Sequence, residues 1–201
     1  IDVEKLSISI TEEFPEHPFA WKVLAAVLKL TGRLSESLVP SQKSVLLEPE
    51  DAEAHNNLGA MLQELGRFAE AQASYMQAIA LKSEYAEAHN NLGVTLQELG
   101  RLDEAEASYT QAIALKPDYF EVHYNLGVTL QEVGKLDEAQ ASYTQAIRFE
   151  PDYPDAHYNL GYMVKELGRL EEAEASYTKA IALRPDYAEA HYNLGITLQE
   201  L

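Results

Sequence analysis

AEAHNNLGVTLQELGRLDEAEASYTQAIALKPDY, residues 86–119, is the stretch that decides the fold. In its first half, apolar residues separated by four, four and three positions are Ala88, Leu92, Leu96 and Leu99. This spacing is typical of the apolar stripe on an amphipathic helix. Gly100 follows the stripe, and glycine is the residue that most often ends a helix.

The second half of the stretch repeats this pattern. Its apolar residues form another helical stripe at Leu102, Ala105, Tyr109, Ala112 and Ile113. Asp103 and Glu104 lie at its N-terminal end, where the helix dipole favours negative charge. Pro117 and Asp118 close the stretch. The sequence therefore predicts helix, short turn, helix, short turn, and neither helix can bury its apolar stripe alone.

The same pattern recurs along the chain without gaps. The 201 residues contain five full units of 34 residues, which are 18–51, 52–85, 86–119, 120–153 and 154–187. Residues 1–17 are predicted to be the second helix of a divergent preceding repeat, and residues 188–201 the first helix of a truncated one. In such an array the stacking of neighbouring units forms the core. The predicted fold is an all-α solenoid.

This pattern resembles the tetratricopeptide repeat (TPR) family. The residues that carry the resemblance in one unit are His89, Leu92, Gly93, Ala105, Tyr109, Ala112 and Pro117. The other units from residue 52 to 187 match at the Leu-Gly pair, the two alanines and the aromatic residue. The resemblance implies an α-solenoid of helix-turn-helix repeats wound into a right-handed superhelix. In this family the polar face of each first helix lines the inner surface, which is the usual binding groove.

The unit 18–51 departs from the pattern. Ala25 stands at the position of the glycine in the Leu-Gly pair. Where the other units have alanine, tyrosine and alanine, this unit has Ser37, Ser41 and Ser44. Pro40 falls inside the predicted second helix, where it removes a hydrogen bond and clashes with the preceding turn. We therefore expect that helix to start late or to kink.

Composition and charge narrow the class of partner. The formal net charge of −18 argues against nucleic acid and anionic membranes, because both attract basic surfaces. The predicted partner is a neutral or basic protein or peptide. No apolar run reaches the roughly 18 residues that span a membrane, no signal peptide is visible, and the cytoplasm is the expected compartment. The absence of cysteine excludes disulfides and thiolate metal sites.

No residue pattern indicates catalysis, a cofactor or a metal site. Adjacent carboxylates such as Asp103 and Glu104 recur where the second helices begin, so we interpret them as solvated helix ends. In every unit from residue 52 onward, one histidine stands where the family usually has an aromatic residue, namely His55, His89, His123, His157 and His191. Successive units lie about 8–10 Å apart or more, whereas zinc needs its ligand nitrogens at about 2 Å. We interpret these histidines as packing residues.

The candidate binding residues lie on the polar face of the first helices. One asparagine recurs there in every unit from residue 52 onward, and together these form the Asn row of Asn57, Asn91, Asn125, Asn159 and Asn193. Each amide offers a donor and an acceptor, as does an extended peptide backbone. Two interpretations stay open: the row holds a peptide, or it ties adjacent helices together. The other candidate groove residues are Asn56, Asn90, Gln97, Tyr124, Gln131, Tyr158, Tyr162, Lys165 and Tyr192.

The favoured prediction is a non-catalytic protein-protein interaction scaffold that binds extended peptide segments in a concave, acidic groove. A clamp for acidic chaperone C-termini, which some TPR proteins contain, is rejected because only Lys165 is basic on this face from residue 52 onward. One alternative is the N-terminal, substrate-recruiting arm of a larger enzyme. A glycosyltransferase is the example, because the Asn row resembles that of O-linked N-acetylglucosamine transferases. The other alternative is end-to-end self-association through uncovered apolar residues such as Leu194, Leu198 and Leu201.

Overall fold

The structure is a computed structural model that describes residues 3–201, and this part of the chain contains helices and turns but no strand. A helix α1, Val3–Glu13, comes first; Ile1 and Asp2, which belong to the predicted segment 1–17, lie outside the described residues. Five helix pairs and a final helix follow: α2 Pro18–Leu30 and α3 Leu34–Leu47, α4 Ala52–Glu64 and α5 Phe68–Leu81, α6 Ala86–Glu98 and α7 Leu102–Leu115, α8 Phe120–Glu132 and α9 Leu136–Phe149, α10 Pro154–Glu166 and α11 Leu170–Leu183, and α12 Ala188–Glu200.

The turn inside each pair depends on a glycine with left-handed backbone. The φ angles are positive, between 71° and 80°, at Gly32, Gly66, Gly100, Gly134 and Gly168. In the turn after α4, the backbone N–H of Arg67 donates to the carbonyl of Leu62 at 2.8 Å and that of Gly66 to Gln63 at 2.9 Å. This pair of bonds satisfies the last carbonyls of the helix, and it requires a residue that adopts positive φ without strain.

The chain divides into two compact units, residues 1–108 and 109–201, and the division falls inside α7. In the first unit, α2 packs on α1, and each later helix up to α6 packs on the one before it. In the second unit the same holds from α8 to α12. Stacked helix pairs in sequence order are the defining feature of an α-solenoid, so the predicted fold class is confirmed.

Each regular repeat that lies within one unit packs a tyrosine between its two helices. Tyr75 is 1% exposed and clusters with Leu62 and Ala71 in the first unit. Tyr143 and Tyr177 are fully buried in equivalent clusters of the second unit. The ring of Tyr75 lies so close to α4 that a Cβ atom on Gly59 would be 2.7 Å from its Cε1 atom. The glycine of the Leu-Gly pair therefore makes room for the ring.

Of the two outcomes expected for the second helix of unit 18–51, the late start is wrong, and the kink stays a prediction. The helix α3 begins at Leu34, at the same repeat position as its counterparts, and contains Pro40 in its interior. Burial of one face of α3 against α2 and α4 accounts for this, because packing overrides local propensity. None of the described helices combines the length and the apolarity that crossing a bilayer requires.

Candidate functional site

In the first unit, the Asn row connects a first helix to the first helix before it. Asn91 on α6 donates from Nδ2 to Oδ1 of Asn56 on α4 at 3.1 Å. Asn56 and Asn90, both candidate groove residues, are 7% and 8% exposed. Their side chains are thus largely enclosed by protein, and Asn56 serves as an acceptor for the following repeat.

The second unit contains the same connection with a different acceptor. Asn159 on α10 donates from Nδ2 to the hydroxyl oxygen of Tyr124 on α8 at 3.2 Å. Asn193 on α12 donates to the hydroxyl of Tyr158 on α10 at 2.9 Å. Each acceptor lies 35 positions before its donor, one repeat and one residue earlier. A hydrogen bond of this kind contributes roughly 0.5–1.5 kcal/mol to stability, and it uses one of the two N–H donors of the amide.

A glutamine at one repeat position bonds the buried tyrosine in two of the repeats. Gln63 accepts at Oε1 from the hydroxyl of Tyr75 at 3.2 Å and from Oγ1 of Thr95 at 3.0 Å. Gln131, a candidate groove residue, accepts from the hydroxyl of Tyr143 at 2.8 Å. Sequence reasoning assigned this glutamine to the groove and missed its bond to the tyrosine. The signal was present, because Gln and Tyr recur together in the 34-residue period.

One member of the Asn row differs from the rest. Asn57 on α4 is exposed, and the residue 35 positions earlier is Lys22. An ammonium group has no acceptor, so the connection made by Asn91 cannot form at this junction. Asn125 is half-buried on α8, and Gln97 is half-buried on α6. The polar side chain of Asn57 is therefore the most accessible amide of the candidate set in the first unit.

The candidate tyrosines fall into two groups. Tyr124 and Tyr158 are half-buried, with ring centroids 5.0 Å from Tyr153 and 4.9 Å from Tyr187. Burial raises the pKa of both hydroxyls, so they stay neutral at physiological pH and can accept the bonds from the Asn row. Tyr162 and Tyr192 are 38% and 70% exposed. These last two rings are the accessible aromatic surface on the first helices of the second unit.

Charged groups on the first helices of the second unit are mostly acidic and partly paired. Nζ of Lys165 lies 3.3 Å from Oε1 of Glu200. The carboxylate of Asp155 accepts from Arg184 at 3.0 and 2.8 Å and from the hydroxyl of Tyr187 at 2.9 Å. Partial burial alone raises the pKa of Asp155, but these hydrogen bonds outweigh it and hold that pKa below its ordinary value. Glutamates that remain exposed on these helices are Glu132, Glu166 and Glu189.

The repeated histidine fastens the loop that precedes each first helix. Nε2 of the ring lies 2.9 to 3.1 Å from a backbone carbonyl oxygen six residues earlier, and because a carbonyl only accepts, the ring N–H donates. The pairs are His55 with Pro49, His89 with Ser83, His123 with Pro117, His157 with Pro151 and His191 with Pro185. Among residues 3–201, no group of three or more potential side-chain ligands is arranged to hold a metal ion.

Paired helices at a 34-residue period, joined by bonds between equivalent positions, define a helical-repeat protein of the solenoid class. The chain belongs to the tetratricopeptide repeat family. A profile described as "TPR repeat" matches residues 132–168 and 161–201, and two described as "Tetratricopeptide repeat" match 50–118 and 108–141. Together these matches run from residue 50 to 201, more than half of the chain. At the level that the family defines, the chain is a protein-interaction scaffold.

Solved structures share the fold at low sequence identity. YrrB, described as a TPR protein with an unusual peptide-binding site, is 24% identical with a TM-score of 0.73, over 97% of this chain and 98% of that one. MamA from Desulfovibrio magneticus RS-1 is 19% identical with a TM-score of 0.77, over 85% and 97%. The APC/C assembly Cut9-Hcn1 is 17% identical with a TM-score of 0.81, over 97% of this chain and 39% of that one. No curated protein sequence matches the chain.

Proposed function

We propose that the polar faces of the first helices bind an extended, neutral or basic peptide segment of a partner protein, without catalysis. The observation that carries the proposal is the fixed position of the Asn row. Asn91, Asn159 and Asn193 are each held by one bond to the preceding repeat. An amide that is already immobilised loses little conformational freedom when it bonds a ligand through its remaining polar atoms.

The two interpretations of the Asn row are therefore compatible. The bond to the preceding repeat uses one N–H, and an amide carries two N–H donors and a carbonyl acceptor. Peptide backbone presents a donor and an acceptor at every residue except proline. Tyr162 and Tyr192 add exposed aromatic area that a peptide side chain can cover without a large entropic cost.

The charge of the ligand follows from the exposed carboxylates. Glutamates are exposed at both ends of several first helices, including Glu87, Glu98, Glu166 and Glu189. The net charge of −18 reinforces this local field. We infer that Lys and Arg residues flank the bound segment, and that added salt weakens binding, because exposed charges are screened over about 8–10 Å.

The test is selection of unstructured peptides from a display library, followed by affinity measurements at low and high salt. A variant with Asn91→Ala, Asn125→Ala and Asn159→Ala should bind the selected peptides at least tenfold more weakly per folded molecule, as expected for several lost polar contacts. The matched control replaces two exposed amides of second helices, Gln77→Ala and Gln111→Ala. Because the Asn variant also loses bonds between repeats, the folded fraction is measured alongside by circular dichroism.

Two outcomes would overturn the proposal. One is equal affinity of the Asn variant and the glutamine control once the folded fraction is corrected, which would leave the Asn row with a structural role alone. The other is a selected peptide pool enriched in Asp and Glu, which would contradict the charge inferred for the ligand.

A further inference from the structure

The inference concerns the space between the helices of residues 18–51, the first repeat, compared with residues 52–85, the second repeat. In repeat 52–85, this space is filled by the ring of Tyr75, which lies over Gly59 and is 1% exposed. In repeat 18–51 the equivalent residues are Ser41 and Ala25. Replacing a tyrosine by a serine removes an entire ring, and the methyl group of Ala25 fills little of that volume. The helices of both repeats keep the same lengths.

A cavity of about 150 Å³ lies at this place. It is formed by α2, α3 and α4, and the residues that bear on its chemistry are Lys22, Ala25, Lys29, Ser41, Ser44 and Asn57. A cavity of roughly this volume accommodates one benzene ring. The first repeat has therefore left open the volume of the ring that the later repeats place there themselves.

The deep part of the cavity contains a polar atom that the protein does not satisfy. Ser44 is 2% exposed, and its Oγ has no hydrogen-bond partner in the protein. The neighbouring serines are satisfied: Oγ of Ser37 donates to the carbonyl of Ala25 at 2.8 Å, and Oγ of Ser41 to the carbonyl of Ser37 at 2.9 Å. A buried hydroxyl without a partner is unfavourable, so a ligand atom that bonds Ser44 recovers part of that cost.

The mouth of the cavity is the part lined by its exposed residues, Ala26, Lys29 and Asn57, with Lys22 half-buried beside them. Both lysines are already paired. Lys22 contacts Asp51, and its Nζ lies 2.7 Å from Glu48, while Nζ of Lys29 lies 2.5 Å from Glu64. Three carboxylates around two ammonium groups leave the mouth slightly acidic, which suits a neutral or basic segment. Asn57 is the amide that has no acceptor 35 residues before it.

We propose that this cavity binds the side chain of a tyrosine presented by the partner segment. This inference deepens the proposed function and rests on it, because it requires a peptide to reach the polar face of α4. The ring of Tyr75 enters its space from α5 and points its hydroxyl outward at Gln63. A ligand ring that enters by the mouth runs in the opposite direction, and its hydroxyl then ends at the buried serines. There it donates to Oγ of Ser44.

Tyrosine fits this cavity better than other large side chains. A phenylalanine ring fills the same volume but leaves Ser44 without a partner. A leucine or isoleucine is not planar, whereas the equivalent space in repeat 52–85 is shaped by two helices around a flat ring. A lysine or arginine would bring a charge among serine hydroxyls, alanine methyls and the side chain of Met61, none of which carries a negative charge that would neutralise it.

The test uses the whole chain and two small probes, p-cresol for the tyrosine side chain and toluene for that of phenylalanine. We expect p-cresol to bind with a Kd on the order of 1 mM, as small ligands with few atoms do. Backbone amide shifts in an NMR titration should change at Ser37, Ser41, Ser44 and Asn57, and toluene should bind more weakly. No binding of p-cresol at these residues would overturn the proposal.

Two variants separate filling of the cavity from the hydroxyl contact. Ser41→Tyr combined with Ala25→Gly restores the arrangement of repeat 52–85, so the chain fills its own cavity and both probes should lose binding. Ser44→Ala, the residue that the later repeats have, should weaken p-cresol about 3- to 10-fold and leave toluene unchanged. Equal p-cresol binding by the double variant would overturn the proposal. The Ser44 variant keeps the test valid if the double variant does not fold.

The result is also distinguishable from failure of the proposed function. If selected peptides bind and p-cresol does not displace them or bind on its own, the groove stands and the cavity proposal is wrong. If p-cresol binds at Ser44 and no peptide binds the chain, the proposed function fails, and the tyrosine proposal fails with it, leaving a small-molecule cavity. Displacement of tyrosine-containing peptides alone by p-cresol is the outcome that we expect.

Discussion

The first repeat and the second repeat form the same pair of helices, although different side chains occupy the space between those helices. Helices α2 and α3 have 13 and 14 residues, as do α4 and α5, although one pair has Ser41 and Ala25 where the other has Tyr75 and Gly59. The turns are also equivalent, with positive φ at Gly32 and Gly66. The difference teaches that the turn glycine and the apolar stripes define the backbone, whereas the tyrosine determines how completely the pair is filled.

In a second contrast, two different aromatic rings make the same hydrogen bond to a backbone carbonyl. In the first repeat, Nε1 of Trp21 donates to the carbonyl of Pro15 at 2.8 Å. In the second, Nε2 of His55 lies 2.9 Å from the carbonyl of Pro49, at the same spacing of six residues. Both rings fasten the loop before a first helix. They differ in that an imidazole can take up a proton near neutral pH, and an indole cannot.

The largest expected effect comes from replacing the buried tyrosine of the second repeat by the serine that the first repeat has at that position. Tyr75→Ser removes a ring that is 1% exposed together with its bond to Gln63, and should lower the free energy of unfolding by about 3–5 kcal/mol. Adding Gly59→Ala should recover about 0.5–1 kcal/mol, because alanine is the better helix former once the ring is gone. Urea unfolding measures the loss, and hydrogen exchange should place it in α4 and α5.

The control for this change is Ser41→Ala in the first repeat, which removes one hydroxyl and should alter the free energy of unfolding by less than about 1.5 kcal/mol. Similar losses for Tyr75→Ser and Ser41→Ala would mean that the tyrosine is not what fills the regular repeats, and the contrast between the two interiors would then carry no energetic meaning.

An intermediate effect is expected when space is removed beside a tyrosine that is present. A Cβ atom on Gly127 would lie 2.7 Å from Cε1 of Tyr143, so Gly127→Ala should cost about 1–3 kcal/mol through overpacking. Gly195 occupies the same repeat position on α12. Apart from its chain neighbours and the backbone of its own helix, no atom lies within 4 Å of the place where a Cβ atom would be. Gly195→Ala should therefore stabilise the chain by about 0.5–1 kcal/mol. Thermal unfolding of both variants measures the difference, and equal signs would contradict the close-packing argument.

The sequence predicted the fold because every element recurs. Stripes of the type Leu92 and Leu96, ended by Gly100, placed each first helix close to its observed bounds, and the period placed its neighbours. Pro40 misled the prediction for α3, since a rule for isolated helices does not include the burial that this helix gains between α2 and α4. Local propensity is a weak indicator wherever packing decides.

The candidate site could be predicted only in part. The position of Asn159 on a polar face follows from its place in the repeat, but its bond to the Tyr124 hydroxyl depends on how successive repeats stack. The departures at Ala25 and Ser41 were visible in the sequence, whereas the cavity between them was not. Whether a missing ring leaves a space or lets the helices collapse is decided by packing across α2, α3 and α4.

The smallest expected effect concerns the imidazole and indole rings that hydrogen-bond the loops before the first helices. His157 is 9% exposed, and its burial lowers the pKa of the ring, outweighing its bond to the carbonyl of Pro151; Lys179 acts in the same direction as burial, and Asp152 opposes it. The folded pKa thus lies below that of the unfolded chain, which binds its proton first as the pH falls. The stability contributed by the neutral ring is present above the unfolded value of about 6.5 and is lost as the pH falls toward the folded value.

His157→Trp introduces the residue type that the first repeat has at this position. The indole keeps an N–H donor for the carbonyl of Pro151 and does not titrate. Between about pH 7.5 and about pH 5.5, the wild-type chain should lose more free energy of unfolding than this variant does. His191→Trp is the matched control, because His191 makes the same bond to Pro185 on the exposed helix α12. Urea unfolding at the two pH values measures the slopes. If the free energy of unfolding of His157→Trp changes with pH as much as that of the wild-type chain, burial of this imidazole does not govern stability in this range. The indole and the imidazole would then be equivalent at this position.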